Sequence, residues 1–132
     1  RFFNVYGPNQ SAEGGYAAVI PAFKKAISEG VECKIFGDGT QVRDFIHVTD
    51  LTRIIGLAIE AKELPSELNL ASGEATSLLD LIENLKFLHP EMLNPVFQEE
   101  RAGDIHTSLA DISLLTSTFE VGEMISIQEG LS

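Results

Sequence analysis

The segment Ile35-Phe-Gly-Asp-Gly-Thr-Gln-Val-Arg-Asp-Phe-Ile-His-Val-Thr-Asp50 decides the fold class, because its hydrophobic pattern changes period along its length. A short strand over residues 32–36 leads into it, and Gly37-Asp38-Gly39 predicts a turn, most simply a hairpin turn. Residues 42–48 are rich in β-branched and aromatic side chains, which predicts a second extended stretch. The segment therefore predicts strand, turn and strand in succession, with a helix to follow.

The helix after this segment is indicated by apolar residues on one helical face, at Leu51, Ile54, Ile55 and Ala58. Thr49 or Asp50 is available to cap its N-terminus. Leu57 and Ile59 widen the apolar surface beyond a single stripe. We therefore expect other elements to cover this helix on two sides.

The residues before the segment predict another strand and another helix. Residues 1–6 are apolar and aromatic, which predicts a buried strand closed by a Gly7-Pro8-Asn9 loop. A polar loop over 11–15 follows, and apolar residues at helical spacing then predict a helix that ends before Gly30, namely Val19, Ile20, Phe23 and Ile27. A strand at the first residue leads us to expect a piece of a longer protein.

The residues after the segment continue the alternation of strands and helices. A brief strand is predicted over 68–71, and Ser77 with Asp80 predicts a capping box opening a helix that His89-Pro90 ends. The remaining expected elements are a strand over 96–99, a polar loop over 101–104, a short helix capped by Asp111 and a helix over 125–131. This order predicts an α/β fold, and the length of 132 residues fits one domain, 1–132.

The composition argues against several classes of function. The 20 acidic and 9 basic residues give a formal net charge of −11, which disfavours nucleic acid and anionic membrane surfaces as partners. Apolar runs are too short for a membrane helix. The single cysteine, Cys33, and three scattered histidines predict neither an internal disulfide nor a metal site. We expect a soluble, cytoplasmic chain that binds no metal.

Four polar residues at the ends of apolar elements are candidates for ligand binding: Asn4, Arg43, Arg101 and Asp104. Each has a structural alternative, because an Arg followed by an Asp can form a surface ion pair and a buried amide can satisfy backbone groups. In combination, two guanidinium groups and an amide suit the oxygens of a diphosphate, and a carboxylate suits the hydroxyls of a ribose. The combination predicts a nucleotide diphosphate site.

Several motifs follow in the order found in the extended short-chain dehydrogenases that act on nucleotide sugars. They are Arg1-Phe-Phe-Asn-Val-Tyr-Gly-Pro8, Tyr16-Ala-Ala-Val-Ile-Pro21, the segment 35–50, Asn69-Leu-Ala-Ser-Gly73, Arg101-Ala-Gly-Asp104 and Leu109-Ala-Asp-Ile-Ser113. In these motifs the chain resembles the NAD-dependent nucleotide-sugar epimerases and dehydratases, such as the UDP-glucose 4-epimerases, over nearly its whole length. The resemblance implies the C-terminal, substrate-binding portion of such an enzyme.

The resemblance also implies a role for individual residues. Asn4 would contact the diphosphate of the substrate, and Phe3 would lie close to the nicotinamide of the cofactor. Arg43 and Arg101 would hold the diphosphate from two sides, with Asp104 on the ribose. The residues expected to border the nucleoside base are Val19, Ile20 and the Ile35-Phe36 strand.

Relatives of this kind oxidise the C4 hydroxyl of the sugar by hydride transfer to NAD, with a Tyr-x-x-x-Lys pair and a Ser or Thr. Here Tyr6 and Tyr16 are followed four residues later by Gln10 and Ile20, and no Gly-x-x-Gly-x-x-Gly occurs. We therefore expect no catalytic residue in this chain. NAD is expected as the cofactor of the complete protein, with its binding loop outside these residues.

Three hypotheses for the function stay open. The first is the NDP-hexose-binding part of a 4-epimerase, the second is a fragment of an NDP-sugar 4,6-dehydratase, and the third is a non-catalytic binding or assembly module. The base, uridine or thymidine, is also open.

In the family, the strands over 2–3 and 67–71 complete the Rossmann-type parallel sheet of the N-terminal cofactor domain, and the 51–61 helix packs on it. The chain is therefore expected to associate with itself or with a cofactor-domain partner.

Overall fold

The structure is a computed structural model that describes residues 1–12 and 18–132. Tyr16 and most of the predicted 11–15 loop lie outside these residues. The described helices are α1 (Val19–Ser28), α2 (Val48–Glu60), α3 (Leu78–Leu88), α4 (Ser113–Thr118) and α5 (Ile127–Leu131). The described strands are β1 (Asn4–Tyr6), β2 (Lys34–Phe36), β3 (Val42–Arg43), β4 (Phe45–His47), β5 (Thr76–Ser77), β6 (Val96–Gln98) and β7 (Thr107–Ser108).

The strands form small sheets in which most pairs are parallel. β1 pairs with β4 and β2 pairs with β6, both in parallel. β3 lies between β5, which is antiparallel to it, and β7, which is parallel. The α/β class is confirmed. The hairpin expected at Gly37-Asp38-Gly39 is wrong, because β2 and β3 on either side of this turn pair with other strands.

The carboxylate of Asp44 joins three separated parts of the chain. Its side chain is fully buried, and Oδ1 accepts hydrogen bonds from the backbone N–H and the hydroxyl of Ser72, both at 2.8 Å. Oδ2 accepts from the N–H groups of Gly73 at 3.0 Å and Ala110 at 3.3 Å. A buried carboxylate is tolerated when such donors replace its hydration. Asp44 therefore holds the 72–73 and 110 segments against the strand that carries it.

The backbone of Asp44 also connects neighbouring sheets. The N–H of Asn4 donates to the Asp44 carbonyl at 3.1 Å, and the N–H of Asp44 donates to the Ser108 carbonyl at 3.0 Å. The extended stretch predicted over 42–48 is consequently divided at this residue into β3 and β4. The surface ion pair considered between Arg43 and Asp44 is wrong, since Asp44 is buried among backbone donors.

Helix α2 is capped by an imidazole rather than by a short polar side chain. His47 is the N-cap, and its Nδ1 accepts from the N–H of Thr49 at 3.3 Å, so the predicted cap at Thr49 or Asp50 is wrong. Asp50 is instead buried and accepts from Arg53 Nη2 at 2.7 Å and from the N–H of Ile125 at 2.8 Å. Asp50 and Arg53 therefore fasten the C-terminal segment to α2.

Helix α3 begins where the sequence predicted. Ser77 Oγ accepts from the N–H of Asp80 at 3.0 Å, and Asp80 Oδ2 accepts from the N–H of Ser77 at 2.9 Å, which confirms the capping box. The hydrogen bonds from Ser77 lower the pKa of Asp80 below its ordinary value. The cap is therefore charged near neutral pH.

Two expected elements are shorter or differently capped. The strand expected over 68–71 is reduced to a single parallel bridge between Phe2 and Leu70. The N-cap of α4 is Ile112, not Asp111, although Asp111 Oδ1 accepts from the N–H of Ser113 at 2.9 Å. The bounds of such short elements shift easily by one or two residues.

The core divides into two apolar clusters. One is shared by α1, α3, β2 and α5 and contains, among others, Ile20, Phe23, Ile35, Leu81 and Leu85. The other lies under α2 and contains Ile46, Leu51, Ile54, Leu70, Leu115 and Val121. Some large apolar side chains stay outside both clusters, such as Phe2 at 62% exposure and Ile59 at 79%. None of the described helices has the length and apolar content needed to span a bilayer.

Replacing Asp44 by Asn should destabilise the fold by about 2 to 4 kcal/mol, because an amide NH2 would then face backbone donors in a buried site. Denaturant unfolding followed by circular dichroism measures this loss. Asp111→Asn is the matched control, since Asp111 also accepts from a backbone N–H but is exposed. Its expected cost is below about 1 kcal/mol. Equal losses for the two variants would contradict the role given to Asp44.

The exposed side chains of Phe2 and Ile59 should promote self-association of the isolated chain, because uncovered apolar surface is adhesive. Light scattering after size-exclusion chromatography should show a mass that rises with concentration. The double variant Phe2→Ser, Ile59→Ser should shift the chain toward monomer, whereas Thr52→Ser, at an exposed polar position of α2, should not. A monomer at every concentration would refute this expectation.

Candidate functional site

A cleft of about 280 Å³ is bordered by α1, β2 and the 101–104 loop. Six of the nine residues predicted for ligand or cofactor contacts line it: Asn4, Val19, Phe36, Arg43, Arg101 and Asp104. These residues come from distant parts of the sequence. The structure thus brings together the two guanidinium groups, the amide and the carboxylate that suggested a common ligand.

Arg43 is positioned by β3 and by its neighbours in the cleft. Its Nη2 donates to Asp104 Oδ1 at 2.8 Å, and its Nη1 donates to the Val42 carbonyl at 2.9 Å. The side chains of Arg43 and Asp104 are 19% and 29% exposed, so this ion pair is more shielded from water than a surface pair. The guanidinium is thereby held at the wall of the cleft.

Arg101 lies over an aromatic face at the opposite side. Its Cζ is 3.7 Å from the centroid of the Phe36 ring, which is a cation–π contact. Arg101 itself is exposed, so its N–H groups remain accessible from the cleft. Phe36 is half-buried and thus both supports Arg101 and contributes an apolar surface.

Asn4 makes a backbone contact and also lines the cleft. Its Nδ2 donates to the Asp44 carbonyl at 2.9 Å, which is the structural role considered for a buried amide. An amide nitrogen carries two hydrogens, so one donor remains after this bond. The contact with Asp44 orients the side chain toward the cleft and leaves it able to bind a ligand.

The turn between β2 and β3 shapes one end of the cleft. Gln41 is buried, and its Nε2 donates to the Phe36 carbonyl at 2.6 Å across the turn. Gly39 has a φ of 82°, and a Cβ there would lie 2.8 Å from Leu79 Cδ2. Gly39 is therefore required by both the backbone conformation and the packing of α3.

Three predicted residues lie elsewhere, and one of them, Ile35, is fully buried. Ile20 is 5% exposed, belongs to the core, and borders a separate hollow on the other side of α1. Phe3 does not line the cleft, and its N–H donates to the Leu70 carbonyl at 3.1 Å. Their assigned contacts, with the base and with the nicotinamide, stay predictions.

Five lining residues were not predicted from the sequence: Ala22, Phe23, Lys34, Gln41 and Leu78. A signal for Lys34 was present, because residues two apart on a strand share a face and Phe36 was a candidate. A signal for Phe23 was also present, because it lies four residues after Val19 on the same face of α1. The sequence pattern gave none for Gln41, in a turn, or for Leu78, at the start of α3.

Tyr6 is a buried phenol on β1. Burial, together with the nearby carboxylates of Asp50, Glu129 and Glu74, raises its pKa to about 12. The phenol is therefore neutral near pH 7, and its hydroxyl donates to the Ser126 carbonyl at 3.3 Å.

Among residues 1–12 and 18–132, no group of His, Cys, Asp and Glu side chains is arranged to hold a metal ion. A dinucleotide would need a free helix N-terminus after a parallel strand. Helix α2 follows the parallel strand β4, but the N–H of Thr49 already donates to His47. Gly7 also packs there, since a Cβ on it would lie 2.5 Å from Val48 Cγ1. This helix end does not fit NAD.

The fold is that of the extended short-chain dehydrogenases, as comparison with solved structures shows. A UDP-N-acetylglucosamine 4-epimerase from Methanobrevibacter ruminantium, in complex with UDP-N-acetylmuramic acid, superposes with a TM-score of 0.88 at 36% identity, over 99% of this chain and 42% of that one. A UDP-glucuronic acid 4-epimerase from Bacillus cereus, in complex with UDP-glucuronic acid and NAD, gives 0.88 at 31% identity, over 99% and 41%.

Residues 1–71 match the model of the NAD dependent epimerase/dehydratase family. A UDP-glucuronate 4-epimerase from Thermodesulfobacterium geofontis is 36% identical over 99% of this chain and 39% of its own length. The chain belongs to the NAD-dependent epimerase/dehydratase family. It spans about two fifths of the length of these relatives.

Replacing Asp104 by Asn should raise the affinity of the cleft for inorganic pyrophosphate by about three- to tenfold, because it removes the negative charge bound to Arg43. Isothermal titration calorimetry measures the change. Asp38→Asn is the control, since Asp38 lies at the adjacent turn but its carboxylate bonds to Thr40 at 2.6 Å. If both variants bind pyrophosphate equally well, the gain comes from net charge and not from Arg43.

Proposed function

We propose that the cleft binds the nucleoside diphosphate of a nucleotide sugar, and that the chain is the substrate-binding portion of an NAD-dependent sugar 4-epimerase. The observation that carries this proposal is the convergence of Asn4, Arg43 and Arg101 on one cleft. These residues supply amide and guanidinium donors, which suit the oxygens of a diphosphate. The carboxylate of Asp104 would accept hydrogen bonds from the hydroxyls of the ribose.

The local charge of the cleft supports an anionic ligand in spite of the global charge. The chain has a formal net charge of −11, yet Arg43 and Arg101 both border the cleft, where Asp104 is the one carboxylate among the described lining residues. Charge in contact with a ligand outweighs distant surface charge, which salt screens beyond about 8 to 10 Å. A diphosphate is therefore attracted once it enters the cleft.

Binding of a diphosphate does not require the two arginines to give up their existing contacts. Arg43 carries five N–H donors and uses one on Asp104 and another on the Val42 carbonyl. Arg101 makes no ion pair with a described carboxylate and stacks on Phe36. Both guanidinium groups therefore keep donors for phosphate oxygens without leaving their positions.

The nucleoside base would lie against the apolar part of the cleft. Val19 on α1 and Phe36 on β2 form this part, and both are half-buried. A stacked or edge contact with an aromatic ring suits a pyrimidine. Uridine and thymidine both fit this description.

The hydride-transfer chemistry belongs in this proposal to a cofactor-bearing portion that packs on the exposed apolar side chains, such as Phe2 and Ile59. NAD there would accept and return a hydride at the sugar. A 4,6-dehydratase is the second candidate, because the matching family includes dehydratases as well as epimerases. Nucleotide-sugar chemistry and a buried free thiol, Cys33, both suit the cytoplasm.

Calorimetric titration with UDP, UDP-glucose and dTDP tests the binding. We expect Arg43→Ala to weaken each of these ligands by about ten- to a hundredfold, because it removes charge-assisted hydrogen bonds. Arg1→Ala is the matched control, since Arg1 is an exposed arginine that pairs with Glu67 at 2.6 Å and does not line the cleft.

The outcomes separate the proposal from a purely structural module. A module that serves assembly would lose stability on alanine substitution at Asn4, Arg43 or Arg101 without any change in ligand affinity. The absence of heat with all three nucleotides would refute binding by this chain.

A further inference from the structure

Lys34 lies in the cleft and has no role in the proposed diphosphate contacts. Ile35 is fully buried, so its neighbours Lys34 and Phe36 share the opposite face of β2. Both line the cleft. The lysine is therefore placed beside the ring against which the base is proposed to lie.

Lys34 lies where the cleft adjoins a second hollow. The lysine and Phe36 both border this hollow, of about 290 Å³, which continues along α1. Asn4, Arg43 and Arg101 do not border this second hollow. A ligand that extends from the arginines past Phe36 would meet Lys34 last.

The ammonium group of Lys34 is not engaged by the described part of the chain. It forms no ion pair with a described carboxylate and no hydrogen bond to a described residue. Glu29 and Glu32 border the same hollow without pairing to it. All three N–H donors of this side chain are therefore available to a ligand.

We propose that Lys34 determines which base is bound, by donating a hydrogen bond to O4 of a uracil or thymine ring. This inference rests on the proposed function. O4 lies on the side of the ring away from the ribose, which corresponds to the end of the cleft where Lys34 is found. Lysine is a donor only, and cytosine presents an amino donor at this position instead of a carbonyl. Lys34 would therefore favour uridine and thymidine over cytidine nucleotides.

Titration of the 132-residue chain with UDP, CDP and inorganic pyrophosphate tests this proposal. The chain should bind UDP about tenfold more tightly than CDP. Lys34→Met should weaken UDP by about five- to tenfold and bring the two nucleotides close to equal affinity. Pyrophosphate should change by less than about twofold, because its proposed contacts are with Asn4, Arg43 and Arg101.

Lys62→Met is the control for loss of one positive charge, since Lys62 is exposed in the segment after α2 and does not line the cleft. It should leave the ratio of UDP to CDP affinity unchanged. Circular dichroism verifies the fold of each variant, and Lys34→Ala replaces the methionine variant if that one does not fold.

The outcomes distinguish this proposal from the proposed function. If UDP binds and Lys34→Met leaves the ratio of UDP to CDP affinity unchanged, the role of Lys34 is refuted while nucleotide binding stands. If Lys34→Met weakens pyrophosphate as much as UDP, Lys34 acts on phosphate and the proposal also fails. If neither UDP nor pyrophosphate binds, the proposed function itself is refuted.

Discussion

The buried carboxylate of Asp44 is the interaction on which the rest of this structure depends. A charge removed from water must be compensated by donors, and here the donors are backbone N–H groups of Ser72, Gly73 and Ala110. Satisfying one carboxylate therefore fixes two distant segments at once. Asn4 is oriented by the carbonyl of the same residue, and Arg43 precedes it directly in the chain. The cleft therefore depends on a buried carboxylate, that of Asp44, which does not itself line it.

The cationic groups of the cleft are kept in place by partners that differ in kind. Arg43 is held by a carboxylate and a carbonyl, whereas Arg101 rests on an aromatic face. The ion pair fixes the direction in which the Arg43 guanidinium points. The cation–π contact fixes the plane of the Arg101 guanidinium and leaves its N–H edges exposed. Preorganisation of this sort lowers the entropic cost of binding. It also accounts for how an acidic chain would hold the anion site proposed for this cleft.

The sequence predicted the α/β class, the α3 capping box and six of the residues that line the cleft, because periodicity, capping chemistry and motif order are local signals. It did not predict that Asp44 is buried, since a carboxylate beside an arginine has the same pattern when exposed. The cap at His47 was missed because imidazole is an uncommon acceptor at that position. The pairing of β2 with β6 was also missed, because it joins residues 60 or so apart that no local pattern relates.

Arg43 and Asp44 are consecutive residues, and the extended backbone sends one to the cleft and the other to the interior. A slip of this stretch by a single position would turn the guanidinium toward the buried N–H donors and the carboxylate toward the cleft. A buried guanidinium without an acceptor costs free energy. The order of the two charges therefore disfavours a shifted register of this strand. Misaligned conformers are thus penalised by the same two side chains that define the native binding surface.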